Sequence, residues 1–145
     1  MILAESSNYK VVGEYETVTL INKRTALSVS IGDFYGDPQG AVIDTDERFA
    51  AIYGCGLIVY FIREPFENYS YGKETSQWFE VGRNEPVMWI DNVVHISRND
   101  LKLFLDDGSE KILTLEDKFL ECSDGDIVIT VADIKAKGKP RTVLE

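Results

Sequence analysis

The carboxylates between Asp33 and Glu47 raise the first chemical question. The stretch DFYGDPQGAVIDTDERFAAIYGCG, residues 33–56, holds five acids, four glycines, one proline and one cysteine. Acids at that density can grip a cation or share acid–base work, but only where the chain turns them onto one atom. A calcium loop takes acidic ligands at alternate positions and closes on a bidentate glutamate. Asp44 and Asp46 are the only alternating pair here, and no glycine follows at the required place. No metal and no other cofactor is therefore expected. DFYGDPQG reads as turn chemistry around Asp37-Pro38, and IDTDERF as a short loop in which Asp44 and Asp46 serve their own backbone.

His95 is the only histidine, and in VVHIS it alternates with Val94 and Ile96. Such a residue is more often packed than catalytic. Joined to Asp91, or to acids from Asp33 to Glu47, it would make a small hydrolase or metal-dependent enzyme. No nucleophile or metal set completes that constellation, and no catalytic residue is assigned. Cys55 stands between two glycines in GCGL with nothing basic nearby in sequence to activate a thiol. The glycines fit a close approach of two backbones instead. No lysine follows them and no helix begins there, which excludes a phosphate-binding loop. Cys55 and Cys122 lie 67 positions apart, neither metal spacing nor a disulfide framework.

Charge points to a partner. With 15 basic against 25 acidic side chains the net is −10. Lys135, Lys137, Lys139 and Arg141 gather in the last eleven residues, leaving residues 1–134 with 11 basic against 24 acidic side chains, a net of −13. Such a body repels phosphate backbones and anionic lipid and attracts cationic surfaces. Tyr69, Tyr71, Trp78 and Phe79 could stack bases as single-strand binders do, yet that role needs a basic groove around them. A face covering the sheet, with partner-binding edges at Tyr71 or Trp78, suits them better. The densest acids are Asp106, Asp107, Glu110, Glu116, Asp117, Glu121, Asp124 and Asp126, several at the loop tips DDGSE and SDGD. Of these, Asp106, Asp107, Glu110, Glu121, Asp124 and Asp126 are the expected partner-binding rim, and a merely solvated rim is the competing reading.

The elements that must place these residues are strands. Apolar residues alternate, or form short β-branched and aromatic runs, in YKVVGEY, TVTLI, ALSVSI, FAAIY, LIVYFI, VVHIS, LKLFL, KILTL and IVITVADI. The expected fold is mainly β: a single-domain antiparallel sandwich, or partly open barrel, of two packed sheets. LKLFLDDGSEKILTL is the clearest hairpin, with Asp107-Gly108 in its turn. One or two short helices are expected, around Glu116 to Leu120 and as a single turn near Ser76 to Val81. Arg63 to Pro86 shows no clear strand pattern, and its aromatics imply that it packs on the body. The domain is expected to span 1–134, with a basic tail over 135–145. No apolar run reaches the length needed to cross a bilayer, and the start has no signal-peptide pattern. A cytoplasmic location follows as an expectation.

FYGDPQGAVIDTDERFAAIYGCGLIVYFI, then EPFENYSYG, SQW and WIDNV, resembles a pattern in small bacterial immunity proteins of contact-dependent growth inhibition systems. The resemblance covers about residues 33–93 and is strongest at FYGDP, GCGLIVY and QW. It implies a cytoplasmic β-sandwich similar to the Whirly fold. It also implies a protein that binds and blocks one cognate toxin C-terminal domain; a monomer in a 1:1 complex is expected because the partner needs a free surface, and the acidic body argues against direct contact with nucleic acid or membrane. The resemblance carries no binding residues with it. The acidic body agrees in sign, because a nuclease toxin presents a basic channel that an acidic inhibitor reaches quickly.

Overall fold

The computed structural model describes residues 1–115. The expected helix at Glu116 to Leu120, the rim acids Glu121, Asp124 and Asp126, and the tail from 135 lie outside the described residues. Eleven strands run in chain order: β1 Ile2–Glu5, β2 Tyr9–Glu14, β3 Thr17–Asn22, β4 Ser28–Asp33, β5 Gly40–Ile43, β6 Phe49–Gly54, β7 Gly56–Phe61, β8 Trp78–Val81, β9 Ile90–Ser97, β10 Asp100–Leu105 and β11 Glu110–Thr114. All pairings are antiparallel between chain neighbours, in three sheets: β1-β2-β3-β4, β5-β6-β7-β8 and β9-β10-β11.

The mainly β, antiparallel sandwich expected from the sequence is the fold that forms, with three sheets where two were expected. The reason is written in β6 and β7, FAAIYG and GLIVYF, in which every residue is buried. A strand with one wet face alternates, as β10 does with Leu101, Leu103 and Leu105 inside and Lys102 and Phe104 outside. A strand buried on both faces has no polar position to offer. Ala50, Ile52, Ile58, Tyr60 and Trp78 pack against Val11, Val18, Leu20 and Ile31 of the first sheet and against Phe34 just after it. Phe49, Ala51, Tyr53, Leu57, Val59, Phe61, Phe79 and Val81 point the other way, onto Ile90, Val93, Leu101, Leu103, Leu105 and Leu113. The central sheet is thus the middle layer of a three-layer sandwich, and none of the sheets closes into a barrel.

Two local readings change. The turn expected near Ser76 to Val81 is strand β8, and no helix occurs among the described residues. Trp78 and Phe79 supply one side chain to each face of the central sheet, so β8 carries no alternation to read. The connection ahead of it does pack on the body, as its aromatics implied, with Phe66 and Tyr69 against the cluster shared with the first sheet. Gln77, 4 % exposed, pins this segment: its Nε2 donates to the carbonyls of Phe61 and Arg63 at 2.8 and 2.9 Å, and its Oε1 accepts the Glu67 amide at 3.2 Å. The DDGS hairpin forms in the register Leu101↔Leu113 and Leu103↔Lys111. Among the described residues no helix is long and apolar enough to cross a membrane.

Candidate functional site: an acidic, aromatic-walled cleft

The acids of the opening stretch divide between the two ends of the strands. At one end, the loop joining β5 to β6 is a clasp. Asp44, 1 % exposed, accepts the Arg48 Nε at 2.7 Å and Nη2 at 2.9 Å, and the backbone amides of Asp46 and Arg48 at 3.2 and 3.0 Å. Burial pushes its carboxyl up. The bonds and charge of Arg48, helped by the nearby His95, outweigh that and hold it below its ordinary value. Arg48 reaches on to the Asn99 side chain at 2.8 Å and the Arg98 carbonyl, in the turn between β9 and β10, while Asp46 pairs with Arg98 at 2.9 Å. Glu47 faces the first sheet, taking the Ser6 hydroxyl, the Asn8 amide at 2.9 Å and the Asn8 side chain at 2.8 Å. Those bonds overcome its burial and lower its pKa. One loop of the middle sheet therefore holds a turn of each outer sheet.

His95 belongs to this clasp. Its Nε2 lies 3.7 Å from Asp44 Oδ1 and 3.0 Å from the Arg98 carbonyl, and its ring meets Phe49 edge-on at 5.7 Å. Both oxygens of Asp44 are already occupied by Arg48. Of the acids considered as partners of His95, the structure thus brings Asp44 beside it, within the clasp that joins the sheets.

At the other end of the strands a cleft of about 300 Å³ opens, lined by Tyr35, Gly36, Asp37, Gln39, Gly54, Cys55, Trp89, Ile90, Asp91 and Asp106. Four connections meet there. The loop after β4 carries Tyr35 and Asp37, and Glu16 holds it by accepting the Phe34 amide on its carbonyl and the Gly36 amide on its carboxylate, each at 2.8 Å. Gln39 donates its amide to the Tyr53 carbonyl at 2.7 Å. A side chain on Gly54 would press on the backbone of Pro38 and Gln39 at 3.2 to 3.3 Å, so the glycines of GCG do serve close approach. Trp89 is fixed through its backbone, which pairs with Cys55 and accepts the Asp106 amide at 2.9 Å.

The chemistry of this cleft is one-sided. Tyr35 is 78 % exposed and Trp89 43 %, and the three carboxylates Asp37, Asp91 and Asp106 are exposed. No lining residue is basic, and no described cation pairs with any of the three acids. Arg83, bonded to the Cys55 carbonyl at 3.2 Å, turns its other terminal nitrogen to the Asp33 carbonyl at 2.6 Å. No group of three or more His, Cys, Asp or Glu able to hold a metal occurs among the described residues. The three acids surround the space without converging on one ion.

The sequence-predicted site residues fare differently. Asp106 lines the cleft. Asp107 accepts the Ser109 hydroxyl at 2.6 Å and amide at 2.8 Å, bonds that hold its carboxyl below the ordinary range. Glu110 pairs with Lys102 at 3.0 Å. Tyr71 is 70 % exposed and touches Asn84 at 3.4 Å. Trp78 cannot be an anchor. It is 4 % exposed, stacked on Tyr60 at 6.1 Å and tilted against Tyr69 at 5.1 Å, because β8 turns that face toward the first sheet. With Trp78 and Phe79 buried and Tyr69 half-buried, the four-aromatic stacking platform does not form. Asp91, considered as a partner of His95, stands four residues up the same strand, about 13 Å away along an extended chain.

Sequence reasoning passed over Tyr35, Asp37 and Trp89 as site residues. A signal was present in Trp89-Ile-Asp91, an aromatic residue followed two positions later by an acid; Tyr35 and Asp37 lie instead in a bend around Gly36 at φ +83°, which carries no such period. In extended chain that spacing places both side chains on one face.

No protein-family model, no curated protein and no solved structure matches the chain.

Proposed function

We propose that this chain is a binding protein without chemistry of its own: an immunity protein that neutralises a cognate toxin domain by covering its cationic, substrate-binding surface. The observation that supports this reading is the end of the sandwich where Asp37, Asp91 and Asp106 stand without a cationic partner among the described residues, around exposed Tyr35 and Trp89. Acids so placed around exposed aromatic rings suit a cationic protein partner: aromatic anchors supply area, and the acids supply specificity and a fast encounter. A nuclease toxin, whose channel must attract phosphate, offers the matching sign. The resemblance to immunity proteins and the net charge of −10 point the same way, and the proposal includes a cytoplasmic 1:1 complex.

The test is inhibition of the toxin encoded by the gene beside this one. The wild-type chain is expected to bind that toxin and block its activity, with affinity falling as salt rises. Joint reversal of Asp37, Asp91 and Asp106 to lysine should weaken binding at least tenfold, about 1.4 kcal/mol or more. Reversing Asp107 and Glu110, which serve their own hairpin, should change mainly the association rate. Wild-type protein that neither binds nor inhibits the toxin would refute the function. Full affinity in the triple variant would move the interface elsewhere, first to exposed Tyr71 and the connection around it.

A further inference from the structure

We infer that the cleft is a receptor for a single arginine side chain, presented by the partner protein. The inference rests on the protein-binding reading above only for where that arginine comes from; the site itself is argued from its lining. Three features define the ligand. First, the acids do not converge as metal ligands, so a compact ion would leave most of them unpaired, whereas a guanidinium spreads one charge over a plane with five donors. Second, Tyr35 and Trp89 line the cleft and are exposed, and aromatic rings attract cations, a flat guanidinium, which can also stack on them, more often than an ammonium. Third, the site is held in place before binding: Trp89 is bonded through its backbone on both sides, and the loop of Tyr35 is fixed by Glu16. Little backbone ordering is left for the ligand to impose.

The two tryptophans of the chain, Trp78 and Trp89, make the test direct. Trp89 lines the cleft, and Trp78 is buried 4 % exposed in the interior, so Trp78 is an internal control. The full ¹⁵N-labelled chain is titrated with three capped tripeptides, Gly-Arg-Gly, Gly-Lys-Gly and Gly-citrulline-Gly, while both indole N–H signals are followed. Expected is a saturable shift of the Trp89 signal with the arginine peptide and an unmoved Trp78 signal. The citrulline peptide, of like shape without the charge, should bind at least tenfold more weakly, and lysine should fall between. Changing the exposed Asp37, Asp91 and Asp106 to asparagine should abolish the shift.

The absence of a saturable Trp89 shift would overturn the inference. Citrulline binding as well as arginine would show mere stacking, and lysine binding as well would show a charge-only site; either outcome also overturns it. These comparisons need only the wild-type chain, so they stand even if a variant misfolds. If the peptides fail but the toxin is still neutralised, the arginine receptor falls and the proposed function survives. If the arginine peptide binds but no toxin is inhibited, the reverse holds.

Discussion

Changing Asp44 to alanine is expected to destabilise the protein by about 3–5 kcal/mol, the usual cost of removing one partner of a buried ion pair. Asp44 is 1 % exposed and Arg48 14 % at the side chain, so the guanidinium would stay buried without its counter-charge, and two backbone amides would lose their acceptor. Asp46→Ala is the comparison. Its ion pair with Arg98 is exposed, at 62 % and 56 %, and should be worth at most about 1 kcal/mol. Urea denaturation followed by circular dichroism would measure both; equal costs would show that the clasp is not what joins the sheets. A pH dependence follows in sign. The folded carboxyl lies below its ordinary value of 3.8. Its contribution is therefore present above that pH and is lost as the pH falls from there through the lowered folded value. Asp44→Asn should accordingly show a shallower loss of stability below about pH 4.

Gly56→Ala is the second large effect, at about 3 kcal/mol. Gly56 has φ +83°, and an added Cβ would stand 2.7 Å from Arg83 Cδ and 2.9 Å from the Val81 carbonyl oxygen. The left-handed backbone alone costs a non-glycine residue about 1–2 kcal/mol, and relieving the overlap adds about 1–3 kcal/mol. Arg83 would have to leave the carbonyls of Cys55 and Asp33 and the ring of Phe34, over which it lies at 4.5 Å. Gly72→Ala isolates the backbone part, because Gly72 has φ +80° with nothing within 4 Å of an added Cβ. Thermal melts of the two variants should differ clearly. A Gly56 variant as mild as the Gly72 one would mean that Arg83 moves aside without cost.

The hairpin of β10 and β11 was legible because its apolar residues alternate around an Asp-Gly turn, a signal carried by neighbours in sequence. β6 and β7 were equally recognisable as strands, and their lack of any polar position already implied two covered faces. What strand counting missed was that a third sheet would be needed to cover the second face. β8 was hidden because Trp78 and Phe79 serve opposite cores and carry no period. Asp44 reads as a turn residue, which it is. That Arg48 also reaches Asn99, 51 positions on, is a fact of tertiary structure with no local mark. The cleft was partly visible, through Asp106 and the turn DFYGDPQG. Its gathering of four connections depends on which ends of the strands coincide, and topology alone decides that.

The two-sided burial of the central sheet also sets a timetable for the newborn chain. Every strand pairs with its sequence neighbour, so each sheet can zip locally and quickly as it leaves the ribosome. The first sheet is complete before the second begins and can cover the Ile52, Ile58 and Tyr60 face at once. The opposite face, with Phe49, Tyr53, Leu57 and Phe61, waits for the third sheet, whose last described strand ends at Thr114. At synthesis rates of about 5–20 residues per second, that apolar surface stands bare for roughly 2 to 7 seconds after β8 has emerged. Slowing translation between Val81 and Thr114 should therefore lower the soluble yield more than slowing it anywhere before β6.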